Sequence, residues 1–179
     1  MVPECLDWDY YSVEFTGNRR FFEKMDQIEL DERDRRLLEL LQADCRISNA
    51  DLAERVGMSS SACWRRVKAL EEAGVIERYG AILRPSRLGL SFQAIVHVQL
   101  ARHDPDAIAV FIRSVAARRE VQDCYATTGQ ADYHLRVVCT DIDAYNHFLE
   151  DFLFRLPAVR GAQTNVVLRE IKRSVVLEL

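Results

Sequence analysis

The chain has 179 residues, of which 49% are hydrophobic and 29% charged, and a net charge of −4. That is enough for one large or two small domains around a packed core, and it excludes an intrinsically disordered chain. No run approaches the roughly 20 apolar residues of a membrane span, and the opening MVPECLDWDYY has acids where a secretory leader has basic residues, so a cytoplasmic protein without membrane association is expected.

Residues 1–24 have no clean period and mix six aromatics with charges. They read either as a leader upstream of a true start at Met25 or as an arm that packs on a neighbour. Three helices are expected next. Asp31 is placed to cap the first, whose apolar stripe is Leu37, Leu38, Leu40 and Leu41. Ser48, with Asp51 three residues on, nearly forms a capping box for the second, which turns Leu52, Ala53 and Val56 inward and ends at Gly57. Ser59 caps the third, which carries Cys63, Val67 and Leu70 at i, i+4 and i+7 and stops at Gly74. A short strand is expected over 75–83, and Arg84-Pro85-Ser86-Arg87 breaks it.

The second half reads strand, helix, strand, strand, helix, strand. Ala94, Val96, Val98 and Leu100 alternate with Gln93, Ile95, His97 and Gln99 at period two. Asp104-Pro105 opens a helix with Ile108, Phe111, Ile112 and Val115 on one stripe. Strands are expected over 121–128 and around Tyr133, Leu135, Val137 and Cys139. Asp141 then caps a helix with Tyr145, Phe148, Leu149, Phe152 and Leu156 on one face, stopped by Pro157. A last long strand is expected over 158–168, and 175–179 could add another. Phe111 and Phe148 are 37 residues apart and Val121 and Val159 are 38 apart, a faint repeat that suggests two tandem β-α-β units and hence a ferredoxin-like fold. The sheet face away from the helices would carry Gln93, Ile95, His97, Gln99, His134, Arg136, Val138, Gln163, Asn165 and Val167. That mixture is too polar for a core and too apolar for open solvent, and it suits sheet-against-sheet pairing of two copies.

The fold class that follows is α+β. Residues 1–25 are an extension, 26–83 a helix-turn-helix domain of winged-helix type, 84–91 a linker, and 92–179 a βαββαβ domain.

The helix pair joined by Gly57-Met58-Ser59 is where chemistry enters. A short turn with glycine sets two helices at a steep angle, so the second can enter a major groove while the first crosses the backbone. Between residues 26 and 85 there are ten bases and twelve acids, yet from Ser59 to Leu70 there are three bases (Arg65, Arg66, Lys68) and no acid. Ser61, Arg65 and Lys68 share a face opposite Cys63, Val67 and Leu70, and Ser60 and Trp64 flank it. The candidate contacts to double-stranded DNA are Ser59, Ser60, Ser61, Trp64, Arg65, Arg66 and Lys68. Arg66 has a second reading, an ion pair with an acid such as Glu54. Trp64 could stack on a sugar or cover the helix pair.

Five scattered cysteines (Cys5, Cys45, Cys63, Cys124, Cys139) without a CxxC pair argue against a disulfide framework or a zinc site, so no metal and no cofactor is expected. His134 near Asp132, with His97 on a neighbouring strand, could do acid–base work, but no nucleophile elbow, phosphate loop or metal spacing accompanies them, and an enzyme is not the reading adopted.

Several motifs in the same order make the chain resemble the Lrp/AsnC, or feast/famine, regulators from about Leu30 onward. They are LDERDRRLLELLQADCRISNADLAERVGMS, CWRRVKALEEAGVIERYGAIL, PSRLGL, TTGQADYHLRV, LPAV and TNVVLREIK. The resemblance implies a DNA-binding N-terminal domain, a C-terminal effector-binding module, homodimers that assemble further to octamers, and an amino-acid effector. It places the effector pocket at Thr127, Thr128, Gly129, Gln130, Ala131, Asp132 and Tyr133, with Thr164 on the last strand as a further contact. Gln130 and Ala131 stand where the family commonly has an acid and an aromatic, and Ala162 stands where it often has a first threonine, which points to a roomier, less acidic pocket for a larger or more apolar ligand. On their own spacing, Gly129 is first a turn residue, Asp132 a group that could simply hold the turn, and Tyr133 a core residue. Two other functions share these features: a nucleoid-organising protein using the same helix pair with little sequence preference, and a stand-alone ligand sensor.

Overall fold

The computed structural model describes residues 28–101 and 104–179, so both readings of 1–24 lie outside the described residues. The chain divides into two compact units: one runs as far as Ile82 and takes in Lys172–Leu179, and the other is Leu83–Ile171.

In the first unit α1 is Glu32–Ala43, α2 Asn49–Val56 and α3 Ser60–Glu72. Each start is set by a short polar side chain. The Asp34 N–H donates to Asp31 Oδ1 at 2.8 Å, and the Asp31 N–H donates back to Asp34 Oδ2 at 3.3 Å, a reciprocal cap that satisfies two otherwise orphaned donors. Ser48 accepts from the Asp51 N–H and Ser59 from the Ala62 N–H. Gly57, at φ 69°, adopts the left-handed conformation that lets Met58 donate back to the Ala53 carbonyl at 3.0 Å and ends α2. Leu37, Leu52, Ala53 and Cys63 are buried together, with Leu40, Leu41, Ile47, Val56, Met58 and Val67 packed around them. Each fully buried leucine stabilises such a core by about 2 kcal/mol.

Two expected strands are not formed. After α3, Val75 and Ile76 turn their N–H groups back onto the Leu70 carbonyl at 2.9 and 3.2 Å. Donors that close a helix cannot begin a ladder, and residues 75–83 are irregular. Residues 175–179 are irregular too: Leu177 bonds to a helix side chain and Val176 to Ser174 instead of to a sheet edge.

In the second unit β1 is Phe92–Leu100, α4 Pro105–Ala116, β2 Val121–Ala126, β3 Tyr133–Cys139, α5 Ile142–His147 and β4 Val159–Val166. The strand order is β2-β3-β1-β4 with every pair antiparallel, the βαββαβ topology expected from the repeat. Ala94, Val96, Val98, Leu100, Leu135 and Val137 face Phe111, Val115, Tyr145, Phe148 and Leu153, all buried. The second helix is shorter than its stripe suggested. A π-helical turn over Phe148–Phe152 and a 3-10 turn over Leu153–Arg155 follow α5. The wider turn rotates the face, so Leu153 is fully buried while Phe152 and Leu156 are only half-buried.

Candidate nucleic-acid interface and ligand cleft

On α3 the buried and presented faces separate as the spacing requires. Cys63 and Leu70 are buried and Val67 packs beside them, whereas Ser60, Ser61, Trp64, Arg65 and Lys68 are exposed. The start of the helix is fixed to its predecessor by the Asn49 Nδ2 group, which donates to the Ser60 carbonyl at 2.9 Å. Ser59 is occupied as the cap, and its hydroxyl also lies 3.3 Å from that of Ser61. Trp64 does not cover the helix pair; it is 55% exposed, with the Lys68 ammonium 5.1 Å from its ring centre.

Arg66 is placed differently from the other bases. Its guanidinium reaches Asp31 and Asp34, both at 2.7 Å, and so ties α3 to the capped start of α1. The partner expected on α2, Glu54, is not used, because Arg66 lies on the side of α3 that faces α1. These contacts raise the Arg66 pKa, Asp34 first and Asp31 second. The Asp31 carboxyl is held below its ordinary value, chiefly by the Asp34 N–H and then by Arg66. Arg65, one residue away, is exposed and makes no ion pair among the described residues.

In the second unit the loop between β2 and β3 borders a cleft of about 670 Å³ on the sheet face away from the helices. Its lining includes Thr128, Gln130 and Ala131 from the loop, with His97, His134, Gln163 and Asn165 from the strands. Among the described residues neither a carboxylate nor a lysine or arginine lines it. Amides and imidazoles supply the polarity: Asn165 Nδ2 lies 2.9 Å from His97 Nε2, and the His97 and His134 rings meet edge to face at 4.5 Å. Gly129, at φ 126°, makes the turn. Asp132 knits the loop to the sheet: its carboxylate accepts from the Leu100 N–H at 2.8 Å, and its carbonyl accepts from the Thr127 N–H at 3.0 Å. The Thr127 hydroxyl donates to the Ala131 carbonyl. Tyr133 is buried against Phe111.

Thr164 is set apart from these residues. It pairs with Val96 in the sheet, on the helix-covered face, and its hydroxyl is 2.6 Å from that of Tyr145. Its face follows from period-two alternation once Val96 is recognised as core, a step that the threonine spacing alone does not supply. The strand amides Gln99, Gln163 and Asn165 had been placed on the open face by alternation, but nothing in their spacing marked a concavity.

Residues 30–77 match the family model described as winged helix-turn-helix DNA-binding, and residues 93–177 the one described as Lrp/AsnC ligand binding domain. The chain belongs to the Lrp/AsnC family of transcription regulators. Among its relatives in that family, the transcriptional regulator AzlB of Bacillus subtilis (strain 168) is 37% identical over 148 residues, 83% of this chain and 94% of AzlB. The leucine-responsive regulatory protein of Escherichia coli (strain K12) is 40% identical over 146 residues, 82% of this chain and 89% of that protein. A solved Lrp/AsnC-type structure, a transcriptional regulator from Neisseria meningitidis in complex with L-Met, superimposes with a TM-score of 0.79 at 40% identity and covers 83% of this chain and 96% of its own. The Lrp/AsnC helix-turn-helix is thus α1–α3, and the chain is a DNA-binding regulator. Among the described residues no helix is long and apolar enough to cross a membrane.

Proposed function

We propose that this chain is an amino-acid-responsive repressor or activator of transcription that reads its operator through Ser61, Arg65 and Lys68 and takes an uncharged amino acid of methionine or leucine size in the cleft beside the 127–133 loop. The observation that carries the DNA half is the contrast on α3. Arg66 is pinned to α1, while Arg65 and its face-mates stand exposed on the helix that this motif delivers to the major groove. For the ligand half, the support is a concavity walled by amides and imidazoles, room beside Ala131, and a methionine-bound relative of the same fold. Side-chain amides can both donate to a carboxylate and accept from an ammonium, which suits a zwitterion whose side chain brings no charge of its own.

Two copies pair through the open sheet face, so that the second copy closes over the cleft and the ligand sits at the rim of the pairing surface beside the 127–133 loop, and the dimers assemble further, to an octamer. This arrangement spaces recognition helices for pseudo-palindromic half-sites in the cytoplasm.

Calorimetric titration with the twenty amino acids, together with footprinting on sites selected from random duplex DNA, tests the reading. Methionine, leucine or a similar residue should bind tightest, and protection should fall on spaced half-sites. Tightest binding of glycine, alanine or lysine removes the ligand half, and broad unspaced protection removes sequence-specific regulation in favour of an architectural role.

A further inference from the structure

The last eight residues leave the ligand-binding unit and belong to the DNA-binding unit. Their anchor is specific. The Gln42 side-chain amide donates through Nε2 to the Leu177 carbonyl at 3.0 Å, and the Leu177 N–H donates to Gln42 Oε1 at 2.7 Å. One side chain thereby satisfies both backbone groups of one residue, a pairing that neither a charged nor an apolar side chain can make. The segment is pre-shaped next to this anchor: the Ser174 hydroxyl donates to the Val176 carbonyl and accepts from the Val176 N–H. Gln42 lies on the last turn of α1, one turn beyond Leu38 on the same face. Leu38 is itself buried, so Gln42 continues a flank of α1 that is shielded from solvent. At its other end α1 holds Arg66 of α3 through Asp31 and Asp34.

We propose that Lys172–Leu179 is a strap through which the ligand-binding unit acts on the recognition helix, with Gln42 as its anchor and α1 as the rigid lever between strap and α3. This deepens the regulatory reading above and rests on it. The chain joins the two units at the 82–83 connection and again at 171–172, so a ligand that shifts the end of β4 changes the pull on the strap. The pull reaches α3 through the Arg66 tie. A coupling of this kind is reciprocal: DNA on α3 must alter the strap just as ligand alters DNA affinity.

The experiment uses the full-length protein and its Gln42→Ala and Gln42→Glu variants, a DNA site selected by the wild type, and L-methionine as the ligand probe. Gln42 is half-buried at a helix end, so both variants should fold, which their melting curves verify. Hydrogen exchange reads the anchor. The Leu177 amide should exchange at least tenfold faster in Gln42→Ala, with an intermediate rate in Gln42→Glu, which keeps the acceptor and loses the donor. In the wild type methionine should shift DNA affinity at least threefold. In Gln42→Ala the shift should fall below 1.5-fold while the affinity for methionine itself is unchanged. Equal Leu177 exchange in all three proteins, or a full methionine response in Gln42→Ala, overturns the strap. If the wild type does not bind methionine, the ligand reading has failed and the strap is judged from the DNA side. DNA must then change Leu177 exchange in the wild type and not in Gln42→Ala, and no such change overturns it.

Discussion

Arg65 and Arg66 are adjacent on α3 but placed differently, Arg66 tied to α1 and Arg65 exposed, so if the proposed DNA contact of Arg65 holds, single alanine variants should separate stability from DNA binding. Arg66 bridges two carboxylates, one of them on Asp34 with only 15% of its side chain exposed. Charge-assisted pairs of this kind are worth up to about 3 kcal/mol when dry, but Arg66 itself is 36% exposed and solvent screens it. About 1 kcal/mol remains, equivalent to a fall of about 4–8 °C in the melting temperature of a unit this size. Arg65 is exposed and forms no ion pair among the described residues, so Arg65→Ala should move the melting temperature by less than about 2 °C. It removes instead one groove or phosphate contact per recognition helix, worth about 1–3 kcal/mol or roughly 5- to 150-fold in affinity. The assay pairs calorimetric melting with DNA titration at several salt concentrations. If Arg65 touches phosphate, the salt slope drops by about 1 for each arginine lost; if it reads a base, the slope holds and discrimination at one position relaxes. Val67→Asp, which puts a carboxylate against the Cys63 cluster, should unfold the unit and is the control for lost binding without lost contact. Wild-type affinity in Arg65→Ala, or lost binding at unchanged melting temperature in Arg66→Ala, would mean that α3 is turned by one residue from the orientation described.

Three further outcomes follow from particular residues. Thr164→Val should leave the Tyr145 hydroxyl without its partner and lower stability by about 1 kcal/mol, while calorimetric affinity for the amino-acid ligand stays the same because Thr164 is on the opposite sheet face from the cleft. Asp31, with its pKa below the ordinary 3.8, contributes stability that is fully present above about pH 4 and is lost as pH falls through its lowered value. Melting of the DNA-binding unit should therefore hold down to about pH 4 and drop below it, and Asp31→Asn should flatten that drop. Cys124 is exposed at the surface of β2, but desolvation by its neighbours pushes the thiol up to about 11, so its alkylation rate, followed by mass spectrometry, should still rise about tenfold per pH unit at pH 9–10, where an ordinary thiol is levelling off.

The elements that were legible in the chain are those whose determinants are local. Asp31, Ser48 and Ser59 each precede an amphipathic run, and a cap needs only the three residues that follow it. Alternation in β1 placed Ala94, Val96 and Val98 against the helices, because strand period is set by the backbone. The misses share the opposite property. Residues 75–83 have strand-forming composition, but Gly74 commits the next two N–H groups to closing α3, and that competition depends on helix geometry that composition does not record. Residues 175–179 likewise open on two valines and are mostly apolar, but the backbone of Leu177 is claimed by Gln42, 135 positions earlier, and that of Val176 by Ser174.

The same distinction explains which site residues could be read. Periodicity states the direction in which a side chain leaves its element, so Ser61, Arg65 and Lys68 could be set opposite Cys63 and Leu70 without any tertiary information. It does not state what waits there. Arg66 could be seen at the edge of the buried stripe and therefore suspected of an ion pair, yet α2 was the wrong choice of partner. The paired acids Asp31 and Asp34 were visible only as a helix cap. A cap exposes carboxylate oxygens that point along the helix start, and wherever a second helix passes that start they become an arginine site as well. One pair of acids thus orders α1 and positions α3, and this double use is why Arg66 is withheld from the exposed face of Ser61, Arg65 and Lys68 proposed to read DNA.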